Sequence, residues 1–215
     1  MGLSEENLSR RRNRRERELA NRRDDAIDGA ASVFAAKGFH EAQMTEIAAA
    51  AEVSLASLYS MFHGKEELYR EVLRTATDRT RNSVQGAVEH IEDPAEALLG
   101  VIDAMFECFD DMQDLMRMVM SGTQGVPWRM REQMGETSRE AAASFVTWVF
   151  GLAQDAKEAG YLEGIDPQIF ARTLLSSVAS AAASVVQQET KEPFRSAAPG
   201  IRAIFERVLA PRARA

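Results

Sequence analysis

At 215 residues, with 45% hydrophobic and 27% charged residues, the chain has room for one large or two small domains of ordinary globular balance. Its single cysteine, Cys108, excludes an intramolecular disulfide and fits a reducing cytoplasm. No uninterrupted apolar run reaches about 18 residues, so no membrane span is expected, and no apolar core follows the N-terminal arginines as in a secretory signal.

The formal net charge of −7 argues against a polyanionic partner until its distribution is read. Between Arg10 and Arg23 stand eight arginines against two glutamates, a local charge of +6. An acidic body with a basic arm suits a protein that meets a polyanion at one end. Residues 1–21 are expected to form this arm, polar and mobile, with Arg10, Arg11, Arg12, Arg14 and Arg15 as DNA-contacting candidates. A plain solubility tail has the same composition.

Only six prolines occur, no alternating β-branched run stands out, and alanine, leucine, methionine, glutamate and arginine are plentiful. This mix predicts an all-α fold, with about nine helices. From Arg22 to Lys37, Ile27, Ala30, Ala31, Phe34 and Ala35 form the apolar stripe of an amphipathic helix. Gly38 follows as a left-handed stop and Phe39 supplies the accompanying apolar contact. Two short helices are expected at about 44–51 and 55–61, and a longer one from Lys65, with Glu66 and Glu67 at its positive end. Pro94 opens a helix to about Asp110, a further helix covers about 112–120, and residues 121–125 form a loop. Pro127 begins a long, broken helix that ends near Gly160. Asp166 and Pro167 read as N-cap and first residue of a helix to about Gln188, and a last helix covers about 201–210.

Met44 to Phe62 carries the most information. Ile47, Ala51, Val53 and Leu58 are spaced to fill the core between two crossed helices, with Ala48 small at their approach. Ser54 caps the second helix, which exposes Leu55, Ala56, Ser57, Tyr59 and Ser60. Small side chains let a helix enter the major groove, and hydroxyls reach phosphates or base edges.

Together, residues 30–39 (Ala-Ala-Ser-Val-Phe-Ala-Ala-Lys-Gly-Phe), Met44-Thr45-Glu46-Ile47-Ala48, Val53-Ser54, Leu58-Tyr59 and residues 62–68 (Phe-His-Gly-Lys-Glu-Glu-Leu) resemble the TetR/AcrR family of transcriptional regulators. The resemblance implies an N-terminal three-helix helix-turn-helix domain (22–68) and a C-terminal helical ligand-binding and dimerisation domain (69–215). It implies recognition by Ser54–Ser60, and phosphate contacts from Gln43, Met44, Thr45, Tyr59 and Lys65. Two positions depart from the family pattern. Glu52 stands where glycine is usual, and a left-handed glutamate costs about 1 kcal/mol. Leu55 stands where the family is often basic.

Beyond about residue 75 the resemblance fades. Seven of ten methionines lie between Met105 and Met134, and methionine suits adaptable apolar surfaces. Phe106, Phe109, Met112, Met116, Trp128, Phe145, Trp148 and Leu152 are candidates to line an inducer pocket; plain core packing is the alternative. Asp103, Glu107, Asp110 and Asp114 form an acidic stripe, read as a solvated face or as a source of one pocket carboxylate that selects cations. Small residues fill 167–188, and Leu174, Val178, Ala181, Val185, Ile204, Phe205 and Val208 are candidates for a two-fold dimer interface, or for an internal core. His40, His63 and His90 stand apart from any metal-ligand spacing, and no phosphate loop or nucleophile elbow appears. Neither catalysis nor a cofactor or metal is expected.

The expected function is a ligand-responsive DNA-binding regulator, a homodimer released from a palindromic operator by a small hydrophobic molecule, without membrane association. The alternative is a helical protein-interaction module whose helix-turn-helix is impaired in DNA binding by Glu52, Leu55 and the acidic body.

Overall fold

The computed structural model describes residues 2–123, 135–188 and 192–210. All regular structure among them is helical, and the chain divides into two compact units, Met1–Val72 and Leu73–Ala215.

In the first unit, α1 (Gly2–Glu41) breaks at Gly38, where φ is 77° and ψ 167°, a backbone region essentially closed to residues with a Cβ. Helix α1 therefore starts at Gly2, and the expected mobile arm is helical. Ala26, Ile27, Ala30, Ala31 and Phe34 are buried, as the apolar stripe predicts. The short helices α2 (Met44–Ala50) and α3 (Leu55–Met61) follow, and α4 (Lys65–Val88) contributes its first two turns to this unit. Ile47, Ala48, Ala51, Leu58, Phe62 and Leu68 complete the core, while Val53 is half-buried.

Gly29 sets how closely α1 meets the helix-turn-helix. A Cβ there would lie 2.8 Å from the Ala51 nitrogen and 2.9 Å from its Cβ, too close for an L side chain without moving backbone. Around the break, Phe34, Phe39 and Tyr69 pack edge-on or tilted, with ring centroids 5.1–5.9 Å apart. Arg23 sits 4.4 Å above the Phe62 ring, donates to the Met61 carbonyl and pairs with Glu71 at 3.1 Å. This arginine belongs to the core's edge and not to the arm.

The second unit holds the rest of α4, α5 (Pro94–Asp111), α6 (Gln113–Thr123), α7 (Glu136–Glu158), α8 (Pro167–Gln187), a 3-10 turn (Phe194–Ala197) and α9 (Ala198–Leu209). Ser121 to Thr123 is thus helix where a loop was expected; Gln124, Gly125 and Pro127 lie outside the described residues. Helix α5 is central, meeting α6, α7, α8, α9 and the 3-10 turn, and most of its side chains are buried. Asp93 caps it through the Ala95 and Glu96 N–H groups and accepts the Tyr161 hydroxyl at 2.6 Å. That hydrogen bond, with the backbone donors, holds the Asp93 carboxyl below its ordinary range. Asp166 caps α8 as the sequence predicts.

By length and composition alone, with a mean hydropathy of 1.6, α8 could pass for a membrane-crossing helix, although no uninterrupted apolar run reaches that length. Its packing on α5, α6, α7 and α9 and the polar Arg172, Thr173, Ser176 and Ser180 on its exposed side account for that hydropathy as a core helix.

Candidate nucleic-acid interface

Local sequence chemistry builds the reading head. The Ser54 hydroxyl accepts the Ser57 N–H at 3.1 Å, closing the first turn of α3, and the Ser60 hydroxyl donates to the Ser57 carbonyl at 2.6 Å. Glu52 sits at φ 54°, the left-handed residue of the turn, so the strain foreseen from its identity is present. Leu58 is the buried anchor of α3. Its outward side presents Leu55 (38% exposed), Ala56, Tyr59 (52% exposed) and Ser60, with Ser57 half-buried.

At the start of α2, Gln43 and Thr45 are exposed and Met44 is half-buried. Glu46 accepts the Gln43 N–H at 3.3 Å and the Lys37 ammonium at 2.6 Å. The Lys37 hydrogen bond comes first among the causes that lower its pKa, and the pair ties α2 to the end of α1.

Lys65 makes contacts within the fold that its sequence position did not announce. Its ammonium donates to the carbonyls of His40 and Ala42, both at 3.0 Å, and lies 4.7 Å over the Phe39 ring. Two of its three donors therefore satisfy backbone acceptors beyond the Gly38 break. The residue positions the head.

A polar concavity of about 780 Å³ adjoins α3, lined by Arg22, Asp25, Asp28, Glu52, Ser54 and Ser57 among others. Arg22, Asp25 and Asp28 were not singled out in the sequence. Their three-residue spacing, about one helical turn, along the exposed side of α1 was the available signal.

In the second unit Phe106, Phe109, Met112, Met116 and Phe145 are buried, and Trp148 and Leu152 half-buried; Trp128 lies outside the described residues. Phe106 and Phe109 meet edge-on at 6.1 Å, and Phe145 stacks on Trp148 at 5.6 Å. The concavity beside α3 and the groove described next are lined by none of them. Two carboxylates of the acidic stripe serve the fold. Asp103 pairs with Arg202, and Asp110 accepts the Phe194 and Arg195 N–H groups at the 3-10 turn. Glu107 and Asp114 are exposed.

The interface candidates divide. Leu174, Val178, Val185 and Phe205 are buried within the protomer, out of a partner's reach, because they face α5 and its neighbours. Ile204 (57% exposed) and Val208 remain on the surface, with Ala181 half-buried. The outward face instead runs Ile169, Thr173, Ser176, Ser180, Ser184 along α8, one helical stripe. With Ile201, α8 borders an open groove of about 570 Å³. The error was one of phase: the apolar members of a small-residue helix turn inward and the serines turn out.

Residues 26–72 match the family model of bacterial regulatory proteins, tetR family. Among curated relatives, the HTH-type transcriptional repressor KstR2 of Mycolicibacterium smegmatis is 34% identical over 42% of this chain and 44% of its own length. The HTH-type transcriptional activator FasR of the same organism is 36% identical over 46% and 44%. The chain thus spans less than half the length of the curated relatives it matches. The fatty acid degradation regulator FadR from Bacillus halodurans superposes with a TM-score of 0.72 at 20% identity, over 90% of this chain and 97% of its own. AibR, solved with isovaleryl coenzyme A and operator DNA, superposes with a TM-score of 0.66 at 18% identity, over 88% and 99%. These two likenesses show the fold. Residues 26–72, whose helix-turn-helix is built as described above, are thus the segment that matches the tetR family of bacterial regulatory proteins.

Proposed function

We propose that the chain is a homodimeric DNA-binding transcriptional regulator, a repressor released from a near-palindromic operator by a small hydrophobic molecule. The observation that carries this reading is the outward face of α3. Leu55, Ala56, Tyr59 and Ser60 are free of the core while Leu58 anchors the helix behind them. Small groups permit deep seating in the major groove, and the Ser60 and Tyr59 hydroxyls reach base edges or phosphates. Gln43 and Thr45 offer further phosphate contacts from α2.

A symmetric duplex site requires two heads, and the exposed stripe of α8 with Ile204 and Val208 of α9 is the seam we assign to the second copy. Its small side chains allow close helix approach. For the inducer, the apolar residues on α5, α6 and α7 are the proposed acceptors. The acyl part of an acyl-coenzyme A thioester is the first candidate for these apolar residues, its phosphate-bearing coenzyme A lying outside them, because AibR was solved with isovaleryl coenzyme A and operator DNA. These side chains pack on one another, so a ligand must part them and must favour the DNA-free state to act. A tenfold loss of DNA affinity needs about 1.4 kcal/mol of coupling.

The test is a salt-dependent mobility shift on DNA upstream of the chain's own gene, with Tyr59→Ala and Ser57→Val beside the native protein. Tyr59→Ala should weaken binding to all sequences, and Ser57→Val should also change the preferred sequence. Native binding untouched by both changes removes α3 from the interface. No binding at any salt leaves the protein-interaction module as the better reading. Isovaleryl coenzyme A added to the bound complex should release the DNA, and retention with bound ligand would remove the inducer part.

A further inference from the structure

Helix α1 runs without a break from Gly2 to Ala26, where its unit's core begins. From Ser9 to Arg22 every side chain is exposed, so no packing holds this stretch. The packed turns from Ala26 onward already supply the helix nucleus, and arginine, glutamate, leucine and alanine extend it readily. Intrahelical pairs Arg12–Glu16 and Arg14–Glu18 add support.

A helix sorts the arginines where a flexible arm would not. Arg23 is turned to Phe62 and Glu71, and Arg12 and Arg14 face their glutamates. Among the described residues Arg11, Arg15, Arg17 and Arg22 form no ion pair, and at about 3.6 residues per turn Arg11, Arg15 and Arg22 fall within an arc of roughly 40°. Along the axis Arg15 lies about 6 Å and Arg22 about 16 Å from Arg11. The row does not end in open solvent. Arg22 lines the same concavity as Ser54, the N-cap of the recognition helix, and Ser57, in company with the carboxylates of Asp25, Asp28 and Glu52. A line of cations thus leads from the edge of α3 outward, on a chain whose net charge is −7.

We propose that this exposed helix is a second DNA-contacting element, with Arg11, Arg15 and Arg22 binding phosphates of the duplex that α3 reads. The proposal rests on the DNA-binding reading above. Charge complementarity names the partner: three aligned guanidiniums match a run of phosphate charges, and Arg22 places the near end of that row beside the reading head, next to Ser54 and Ser57. These contacts add affinity without sequence information, because phosphates carry none.

The experiment uses the full chain with a 40-bp duplex of mixed sequence and with the duplex the native protein selects, read by fluorescence anisotropy over a salt series. The R11Q/R15Q/R22Q variant should keep its helical circular dichroism and its preferred sequence. Its slope of log K against log salt should fall by about 2.7 per bound protomer, at roughly 0.9 per phosphate contact. The R11K/R15K/R22K variant should retain most of the native slope. A native slope in the glutamine variant overturns the proposal while leaving α3 as the reader, as does a fall seen on single-stranded RNA and absent on duplex. Loss of slope in the lysine variant equal to that in the glutamine variant also overturns it, since charge would then not be the cause. A native chain that binds neither duplex defeats the DNA-binding reading itself.

Discussion

Replacing Glu52 by glycine tests the strained turn and the electrostatics of the reading head together. At φ 54° an L residue pays roughly 1–2 kcal/mol relative to its right-handed form. Glycine avoids that cost but gives back roughly 0.5–1 kcal/mol through its greater freedom in the unfolded chain. The net expectation is a gain of about 0.5–1 kcal/mol, read as a higher urea midpoint by far-ultraviolet circular dichroism. The turn's own hydrogen bonds, Glu52 N–H to the Ala49 carbonyl and Val53 N–H to the Ala48 carbonyl, survive the change. Glu52→Ala is the control: it removes the same charge and keeps the left-handed strain, so it should not gain stability. Both variants should bind duplex DNA more tightly, by a margin that shrinks as salt screens the lost repulsion. Equal stability of the two variants would refute the strain argument, and unchanged affinity in both would refute the electrostatic one.

Gly29→Ala should destabilise by about 1–2 kcal/mol, because overpacking against the Ala51 backbone outweighs alanine's better helix propensity; chemical denaturation checks this. Lys65→Met should cost about 2 kcal/mol, from its lost hydrogen bonds to His40 and Ala42, with the salt slope of DNA binding little changed. Phe205→Ala should unfold the protein more readily, by about 3–5 kcal/mol, whereas Ile204→Glu should leave the protomer folded and shift sedimentation toward monomer. Asp93, Glu46 and Glu67 all have depressed carboxyl pKa values from hydrogen bonds made in the folded state. Their contribution is present above the unfolded pKa and is lost as pH falls through the folded one, so acid melts of Asp93→Asn should show a weaker pH dependence than the native chain.

The helix-turn-helix was legible because its determinants are local. Ser54 as a cap, Gly38 as a stop and Ile47 with Leu58 as core follow from spacing alone, and each is where the pattern put it. Even the Glu52 strain was readable, since the turn demands a positive φ whatever residue fills it. What failed depends on contacts between elements. Lys65 was read only as a cation near phosphate, and its carbonyl partners, 23 and 25 residues back, were not foreseen. The phase of α8 was misjudged because alanine and serine carry too little hydropathy contrast to mark an inner face. Its apolar residues then looked equally fit for a core or a seam. The arm was assigned mobility from its polarity, while its composition of good helix formers, continuous with a packed helix, argued for extension of α1. The family resemblance stopped at the same place as the local motifs, so the inducer site had no comparable signal.

The most direct test of the central claim is selection by the full-length chain from a random duplex pool, with the bound stoichiometry measured on the winning sequence. The account predicts a near-palindromic site whose half-sites lie about one helical turn or a little more apart, bound by two chains and lost in Tyr59→Ala. A pool that yields no enriched sequence, or an asymmetric site bound by one chain, would contradict it.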